Sequence, residues 1–196
     1  AFNRTGLETK IMKKVVLLGD SIRKFGYGTK VPALLGDDYS VWQSDDNGRF
    51  AMYTLRMLFD HRDNLDCDIV HWNNGLWDEC NLFGDGSFTP IDMYVETMKR
   101  IAGILQQHAK KVIFATITPV TPQNPYNHNE TIEYFNSTIV PVLSDMGVII
   151  NDLYSLCAAD IDKYIRKDDN IHLSDAGIDV CAAQVADVIR KAAADL

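Results

Sequence analysis

The chain has 196 residues, of which 46% are hydrophobic and 23% are charged, and its formal net charge at pH 7 is -8. This length and composition are typical of one globular domain that buries a full core without disulfides or metals. The negative charge argues against nucleic acid and against an anionic membrane surface as partners. The longest apolar runs are too short to span a bilayer, so we expect no membrane insertion.

The first eleven residues are polar and lack the apolar centre of a signal peptide. Met12 and the two lysines after it look like a natural start, so residues 1–11 are predicted to be an N-terminal extension or a cloning remnant. Residues 12–196 are predicted to form a single domain. The cysteines are widely spaced and look like reduced thiols rather than a disulfide framework or a zinc site. These features favour a cytoplasmic protein, or a secreted one whose signal peptide has been removed.

The first predicted strand, residues 15–18, is four apolar residues that run directly into Gly19-Asp20-Ser21. A helix is predicted from about residue 26 to residue 35. A serine at the carboxyl end of a central parallel strand lies where open α/β sheets place their ligand sites. Ser21 is therefore a candidate nucleophile. Asp and Ser are also common helix caps, so the corner alone leaves both interpretations open.

A second strand is predicted at residues 39–42 and a helix at residues 50–59, with a turn-rich loop between them. Asn47-Gly48 in that loop is either a tight turn or the source of a second backbone donor beside the serine. The third strand, residues 68–72, leads into a segment with two asparagines and a second tryptophan.

This segment, Asn73-Asn74-Gly75-Leu76-Trp77-Asp78, combines amide dipoles with large apolar walls. Because Trp72 and Trp77 flank the amides, we interpret it as the lip of a pocket. The glycine-rich loop that follows, residues 80–90, is a candidate lid or substrate-binding loop.

The second half of the chain continues the alternation of helices and strands. Helices are predicted at residues 91–108 and 132–146, and strands at residues 112–117 and 148–150; a last helix opens at Ser174. This pattern predicts an α/β fold with a five-stranded parallel sheet and helices on both faces.

Asp169 and His172 lie three residues apart in a predicted loop before the last helix. At this spacing the carboxylate can orient the imidazole, and the second ring nitrogen stays free to take a proton from a nucleophile. A serine hydroxyl needs such a base at neutral pH. A lone histidine is more often a surface or capping residue, but the aspartate and the upstream Gly-Asp-Ser favour a Ser-His-Asp triad.

The chain resembles the SGNH, or GDSL-type, hydrolases from the first strand to the last helix. The resemblance lies in the order and approximate spacing of Gly19-Asp20-Ser21, Gly48, the Gly75 segment and Asp169-x-x-His172. It implies a three-layer α/β/α sandwich with a flavodoxin-like five-stranded parallel sheet.

The same resemblance implies roles for individual residues. Ser21 would be the nucleophile, His172 the general base and later acid, and Asp169 the orienting carboxylate. The oxyanion hole would use the backbone N–H groups of Ser21 and Gly48 and an asparagine side chain. Gly48 matches the family glycine because Leu55 and Leu58 follow it at the expected distances.

The asparagine of the oxyanion hole does not match the family pattern. Residues 75–78 fall on the family's Gly-x-Asn-Asp motif, which places Trp77 at the asparagine position. Asn73 is our first candidate for the missing donor, and Asn74 replaces it if the strand ends one residue later than predicted. Asn47 is a third candidate.

The resemblance implies a serine esterase that hydrolyses small acyl esters, with an acetylated carbohydrate as the first candidate because the tryptophans and amides suit a sugar ring. One alternative is a lysophospholipase or acyl thioesterase of the same fold, which would have a deep apolar groove. Another is a catalytically silent carbohydrate-binding protein. The expected partner is a small-molecule ester; no cofactor and no metal are expected, and the oligomeric state is left open.

Overall fold

The computed structural model describes residues 12–196, so the prediction for residues 1–11 lies outside the described residues. Five strands form one parallel sheet in the order β2-β1-β3-β4-β5. The strands are β1 (Lys13–Gly19), β2 (Tyr39–Gln43), β3 (Cys67–Asn73), β4 (Ala109–Ala115) and β5 (Ile149–Asn151). This order is that of the flavodoxin-like doubly wound sheet, so the predicted fold class is confirmed.

Eight α-helices surround the sheet in the described part of the chain. They are α1 (Val31–Leu35), α2 (Ala51–Asp60), α3 (Leu76–Glu79), α4 (Ile91–His108), α5 (Asn129–Asp145), α6 (Leu153–Ala158), α7 (Ile161–Tyr164) and α8 (Asp175–Ala194). Helices α1, α6 and α7 pack against α8, and α4 packs against α2 and α5. Between residues 12 and 196, no helix combines the length and the apolar character needed to cross a membrane.

The two central strands bring two of the predicted motifs together. In the β1–β3 pairing the Cα of Gly19 lies opposite that of Asn73. The serine corner therefore follows β1 at the same edge of the sheet where the asparagine segment follows β3, because parallel strands end on the same side.

The helix predicted at residues 26–35 is broken into three pieces. A π-helical turn covers Ile22–Gly26, a 3-10 turn covers Tyr27–Thr29, and only Val31–Leu35 is α-helical. Gly28 explains the break, since a Cβ there would lie 2.5 Å from the backbone oxygen of Arg23. The chain turns tightly over its own preceding residues instead of continuing one regular helix.

Strand β3 ends at Asn73, one residue later than predicted, and Trp72 does not lie at a pocket lip. The Trp72 side chain is fully buried and packs against Phe114, with ring centroids 4.9 Å apart. The expectation for Trp72 is therefore wrong. The physical reason is that β3 lies at the centre of a sheet covered on both faces, so side chains on either face of the strand are buried.

Candidate active site

The serine corner is shaped by close contact between the ends of β1 and β3. Gly19 has a φ of +148°, and a Cβ at this position would lie 2.0 Å from Oδ1 of Asn73. Only glycine fits this conformation and this space. Asp20 then turns the chain, because its Oδ1 accepts the backbone N–H of Ile22 at 2.9 Å. Ser21 follows at the start of the π-helical turn and is 8% exposed.

The structure brings Ser21, His172 and Asp169 together, although Ser21 and His172 are 151 residues apart in sequence. Nε2 of His172 lies 2.9 Å from Oγ of Ser21, and Nδ1 of the same ring lies 3.0 Å from Oδ2 of Asp169. With the ring proton on Nδ1, the unprotonated Nε2 faces the hydroxyl. A hydroxyl placed in this way can transfer its proton to the ring when it attacks a carbonyl carbon.

The backbone around His172 is held on two sides. An isolated antiparallel bridge joins Ile165 and Leu173, and the N–H of Arg166 donates to the carbonyl of His172 at 2.8 Å. Asn170 has a φ of +65° and accepts the hydroxyl of Thr121 at 2.6 Å. These bonds fix the tight turn that carries Asp169 and His172 at the edge of the sheet.

The electrostatics of Asp169 suit an orienting carboxylate. Partial burial opposes its ionisation, but hydrogen bonds from the backbone N–H groups of His172 and Ile171 and from the His172 ring lower its pKa below the ordinary value. Oδ1 accepts both N–H groups at 3.0 Å, which leaves Oδ2 for the ring.

Asn73, the first candidate for the oxyanion donor, is part of a buried hydrogen-bonded chain. Its Oδ1 accepts the hydroxyl of Tyr27 at 2.8 Å, and its Nδ2 donates to Oδ1 of Asp20 at 2.7 Å. Burial raises the pKa of Asp20 to about 6, although the bonds from Asn73 and Ile22 act in the opposite direction. One N–H of the Asn73 amide is therefore committed, and the second remains for another acceptor.

The other predicted donors are also engaged. Nδ2 of Asn74 donates to the carbonyl of Arg49 at 3.0 Å, and the backbone N–H of Gly48 donates to the carbonyl of Gly19 at 2.9 Å. Asn47 accepts the N–H of Arg49 through Oδ1 at 2.9 Å, as in an Asx turn. The structure thus places Gly48 against the serine corner, but its N–H already has a backbone acceptor.

One cavity contains this site, and a second is lined partly by chain neighbours of the site residues, such as Ile171 before His172. The larger is a cleft of about 720 Å³ that contains Ser21, His172 and Asp169. Polar side chains such as Arg166 and Asp175 line it, and so do apolar ones such as Phe25, Leu173 and Ile178. The smaller is an apolar pocket of about 250 Å³. Its wall contains Phe50, Leu76, Trp77, Cys80, Leu82, Phe88, Tyr126, Asn127 and Ile171. Trp77, which stands at the family's asparagine position, is thus a wall residue of the apolar pocket.

Sequence reasoning did not single out the buried acids behind the apolar pocket. Both oxygens of Asp78 accept the N–H of Ala51 at the start of α2, at 3.2 and 3.0 Å, and Oδ1 also accepts the hydroxyl of Thr89 at 2.8 Å. Glu79 accepts from the amide of Asn127 at 2.5 Å. The signal for Asp78 was its match to the last residue of the Gly-x-Asn-Asp motif. For Glu79 and Asn127 the sequence holds no such signal.

Comparison with known proteins agrees with this fold, although no family model matches the chain. The chain is 29% identical over 123 residues to the GDSL esterase/lipase CPRD49 of Arabidopsis thaliana, which covers 56% of this chain and 48% of that protein. The match thus spans about half the length of the curated relative.

Solved structures match over nearly the whole chain. The lipase/acylhydrolase from Enterococcus faecalis superposes with a TM-score of 0.79 at 20% identity, covering 92% of this chain and 96% of that one. The acetyl xylan esterase AlAXEase gives 0.76 at 21% identity, with 90% and 99% covered. A GDSL-like lipase from Bacteroides thetaiotaomicron gives 0.72 at 20% identity, with 92% and 89% covered. The chain therefore has the same fold as these esterases and acylhydrolases, and over 123 residues its sequence is similar to that of a GDSL esterase/lipase.

Proposed function

We propose that this protein is a serine esterase that forms an acyl-enzyme on Ser21. The observation that carries the proposal is the pair of contacts at His172, 2.9 Å to Oγ of Ser21 and 3.0 Å to Oδ2 of Asp169. The similar proteins include esterases, lipases and acylhydrolases, which supports the same reaction class.

The proposed reaction has two halves. Oγ of Ser21 attacks the ester carbonyl carbon while its proton passes to Nε2 of His172, and the resulting imidazolium is stabilised by Asp169. His172 then gives this proton to the leaving alcohol oxygen as the ester bond breaks. A water molecule, deprotonated by the same nitrogen, attacks the acyl-enzyme and releases the acid and the free serine.

The oxyanion of the tetrahedral intermediate needs donors beside Ser21. We propose the backbone N–H of Ser21 and the uncommitted N–H of Asn73, which stands directly across from Gly19 in the β1–β3 register. The N–H of Gly48 joins them when it exchanges the Gly19 carbonyl for the substrate. Strand β3 ends one residue later than predicted, which is the condition under which Asn74 would replace Asn73. We keep Asn73 first because it lies opposite Gly19 and bonds to Asp20, the residue before Ser21. Asn74 and Asn47 are the alternatives for the side-chain donor.

For the substrate we propose a small acyl ester of a polyhydroxylated alcohol, with an acetylated carbohydrate first. The polar part of the cleft on the His172 side supports this choice, because Arg166 and Asp175 line it and can pair with hydroxyl groups. An acetyl xylan esterase and an acetyl-xylooligosaccharide esterase stand among the proteins that share this fold. We propose the cytoplasm as the compartment, which the four free thiols support.

The two alternatives make different demands on the structure. A long-chain lysophospholipase or thioesterase needs room for about sixteen methylene groups, on the order of 480 Å³ if each fills the volume of one water molecule. The apolar pocket has about 250 Å³. A silent binding protein would keep the fold without an activated serine, and Trp77 at the asparagine position is the observation that favours it.

The deciding experiment compares the wild type with Ser21→Ala on p-nitrophenyl acetate and on acetylated xylo-oligosaccharides, and labels both with a fluorophosphonate probe. We expect turnover and labelling of the wild type and neither in the variant, which lacks the nucleophile. Unlabelled wild-type protein without turnover on any ester would refute the esterase and favour the binding protein.

A further inference from the structure

The apolar pocket is a feature that an acetyl esterase does not require. Acetyl has one methyl group, which occupies about the volume of one water molecule, roughly 30 Å³. The pocket of about 250 Å³ would remain mostly unfilled with such a substrate. Its size therefore points to a larger apolar group.

The fold leaves several large side chains of this pocket open to solvent. Trp77 is 42% exposed, Phe88 is 48% exposed and Tyr126 is 51% exposed. A concave patch of exposed apolar surface marks a binding site. Each Å² of apolar surface that a ligand removes from water contributes about 25 cal/mol of favourable free energy. An occupant with apolar surface is favoured there.

The walls of the pocket are held in place before any ligand arrives. Asp78 bonds both to Ala51, next to Phe50, and to Thr89, next to Phe88. The rings of Phe50 and Phe88 pack with their centroids 5.4 Å apart. On the opposite side the carbonyl of Tyr126 accepts the N–H of Asn81 at 2.8 Å. A preformed pocket loses little conformational freedom on binding.

The position of His172 decides which half of an ester can reach the pocket. Because Nε2 must donate its proton to the leaving oxygen, the alcohol half lies on the His172 side, in the cleft of about 720 Å³. The apolar pocket lies beyond Ile171 and is bordered by residues that follow Gly48 and Asn74 in sequence. The acyl substituent is bonded to the carbonyl carbon on the side away from the leaving oxygen. It is therefore the half of the ester that is directed to the apolar pocket.

A sugar ring is a poor occupant of this pocket. The lining is almost entirely apolar, and Asn127, its amide residue, already donates to the Leu76 carbonyl and to Glu79. Sugar hydroxyls buried there would lose hydrogen bonds to water without replacement, at a cost of about 1–3 kcal/mol each. The occupant is therefore apolar.

We propose that the pocket walled by Phe50, Trp77, Phe88, Tyr126 and Ile171 is an acyl-binding site, so that the protein accepts acyl groups larger than acetyl. This inference rests on the proposed esterase reaction, and it replaces acetyl by a larger acyl group as the preferred one. An apolar cavity of about 150 Å³ holds one benzene ring. At roughly 30 Å³ per methylene group, the pocket of about 250 Å³ thus takes an aromatic acyl group or a straight chain of about eight carbons.

The test is the hydrolysis of ethyl acetate, butanoate, hexanoate, dodecanoate and benzoate, followed by acid release in a pH-stat. Ethanol as the leaving group has no ring that could fill the pocket instead of the acyl chain. We expect kcat/KM for hexanoate to exceed that for acetate at least fivefold and to drop for dodecanoate. A wild-type kcat/KM that falls steadily from acetate onward would overturn the proposal.

Variants tie the preference to the pocket. In Trp77→Ala and in Phe88→Ala we expect the hexanoate-to-acetate ratio of kcat/KM to fall about tenfold, because the longer chain loses its wall. Phe83→Ala is the matched control, since Phe83 lies in the same loop, is 83% exposed and does not line the pocket. An unchanged ratio in both wall variants would place the acyl chain elsewhere and refute the proposal.

A binding measurement separates this proposal from the esterase itself. The inactive Ser21→Ala variant is titrated with ethyl hexanoate and with ethyl acetate while tryptophan fluorescence is recorded. We expect the hexanoate ester to change the signal at concentrations at least fivefold lower, and the change to vanish in Ser21→Ala/Trp77→Phe. Equal titration by both esters would refute the acyl pocket even in an active esterase, whereas an inactive wild type that still prefers hexanoate would refute only the esterase.

Discussion

The role of each buried side chain around Ser21 depends on the hydrogen-bond partners that the fold places beside it. Asn73 and Asn74 are adjacent in sequence and chemically identical, yet Asn73 bonds to Tyr27 and Asp20, while Asn74 bonds to the Arg49 carbonyl. Sequence reasoning predicted that one of the two is a donor near the serine. It could not separate them, because their partners come from other parts of the chain.

The contributions of His172 and Asp169 to kcat can be compared by mutation. We expect His172→Ala to lower kcat by on the order of 10⁶ and Asp169→Asn by on the order of 10⁴, since a base is lost in the first and only its orientation in the second. Asp168→Asn is the control, because Asp168 is exposed and pairs with Arg166 rather than with His172. Steady-state kinetics on p-nitrophenyl acetate measure all three. Wild-type rates in both His172→Ala and Asp169→Asn would show that the triad assignment is wrong.

The oxyanion donor can be identified in the same assay. We expect Asn73→Ala to lower kcat by about 10²–10³ with a smaller change in KM, as removal of one preorganised donor does. Thermal unfolding of the variant is measured alongside, because Asp20 loses a buried hydrogen bond in it. A larger loss of kcat in Asn74→Ala than in Asn73→Ala would assign the donor to Asn74.

At the scale of elements, regular helices were easier to predict than the turns that build the site. The amphipathic pattern of α4 predicts residues 91–108, and the helix is Ile91–His108. The π and 3-10 turns after Ser21 were missed, because close backbone contact at Gly28 overrides the local preference for a helix. The last helix was correctly placed to open at Ser174, where the residue caps it.

The cap at Ser174 connects this helix to α7. Its Oγ accepts the N–H of Gly177 at 3.1 Å and donates to the carbonyl of Lys163 at 2.6 Å. We expect Ser174→Ala to lower the free energy of unfolding by about 1 kcal/mol, the usual cost of a lost cap. Urea unfolding measures it. Ser137→Ala, inside α5 on its exposed side, is the control that should change stability much less, and an equal loss there would argue against the cap.

Across the whole molecule, the buried acids near the sheet edge couple stability to pH. Burial raises the pKa of Asp78 to about 7 and that of Glu79 to about 8, although their hydrogen bonds act in the opposite direction. The folded state therefore keeps protons that the unfolded chain releases above about pH 4.5. The contribution of these two carboxyl groups to the free energy of unfolding is full below that pH and is lost as the pH rises through 7 and 8.

Glu79→Gln tests this coupling, because the amide has the shape of the carboxyl group but no charge to bury. We expect the Tm of the wild type to fall between pH 5 and pH 9, and the fall to be smaller in the variant. Glu96→Gln, which removes an exposed carboxylate paired with Lys99, is the control. Its Tm should depend on pH as steeply as that of the wild type. Differential scanning calorimetry at several pH values measures it; the same slope in Glu79→Gln as in the wild type would contradict the prediction.

The α/β alternation, the serine at the end of the first strand and the Asp169–His172 pair could be predicted from the amino-acid sequence, because periodicity and short motifs are local properties of a chain. The fold was needed to show that Trp72 lies in the core while Trp77 lines a pocket, and that Asn73 is held by Tyr27 and Asp20. These outcomes depend on strand register and on which distant side chains fill the space between layers. A contact such as that of Ser21 with His172, across 151 residues, exists only when the sheet and its covering helices are assembled.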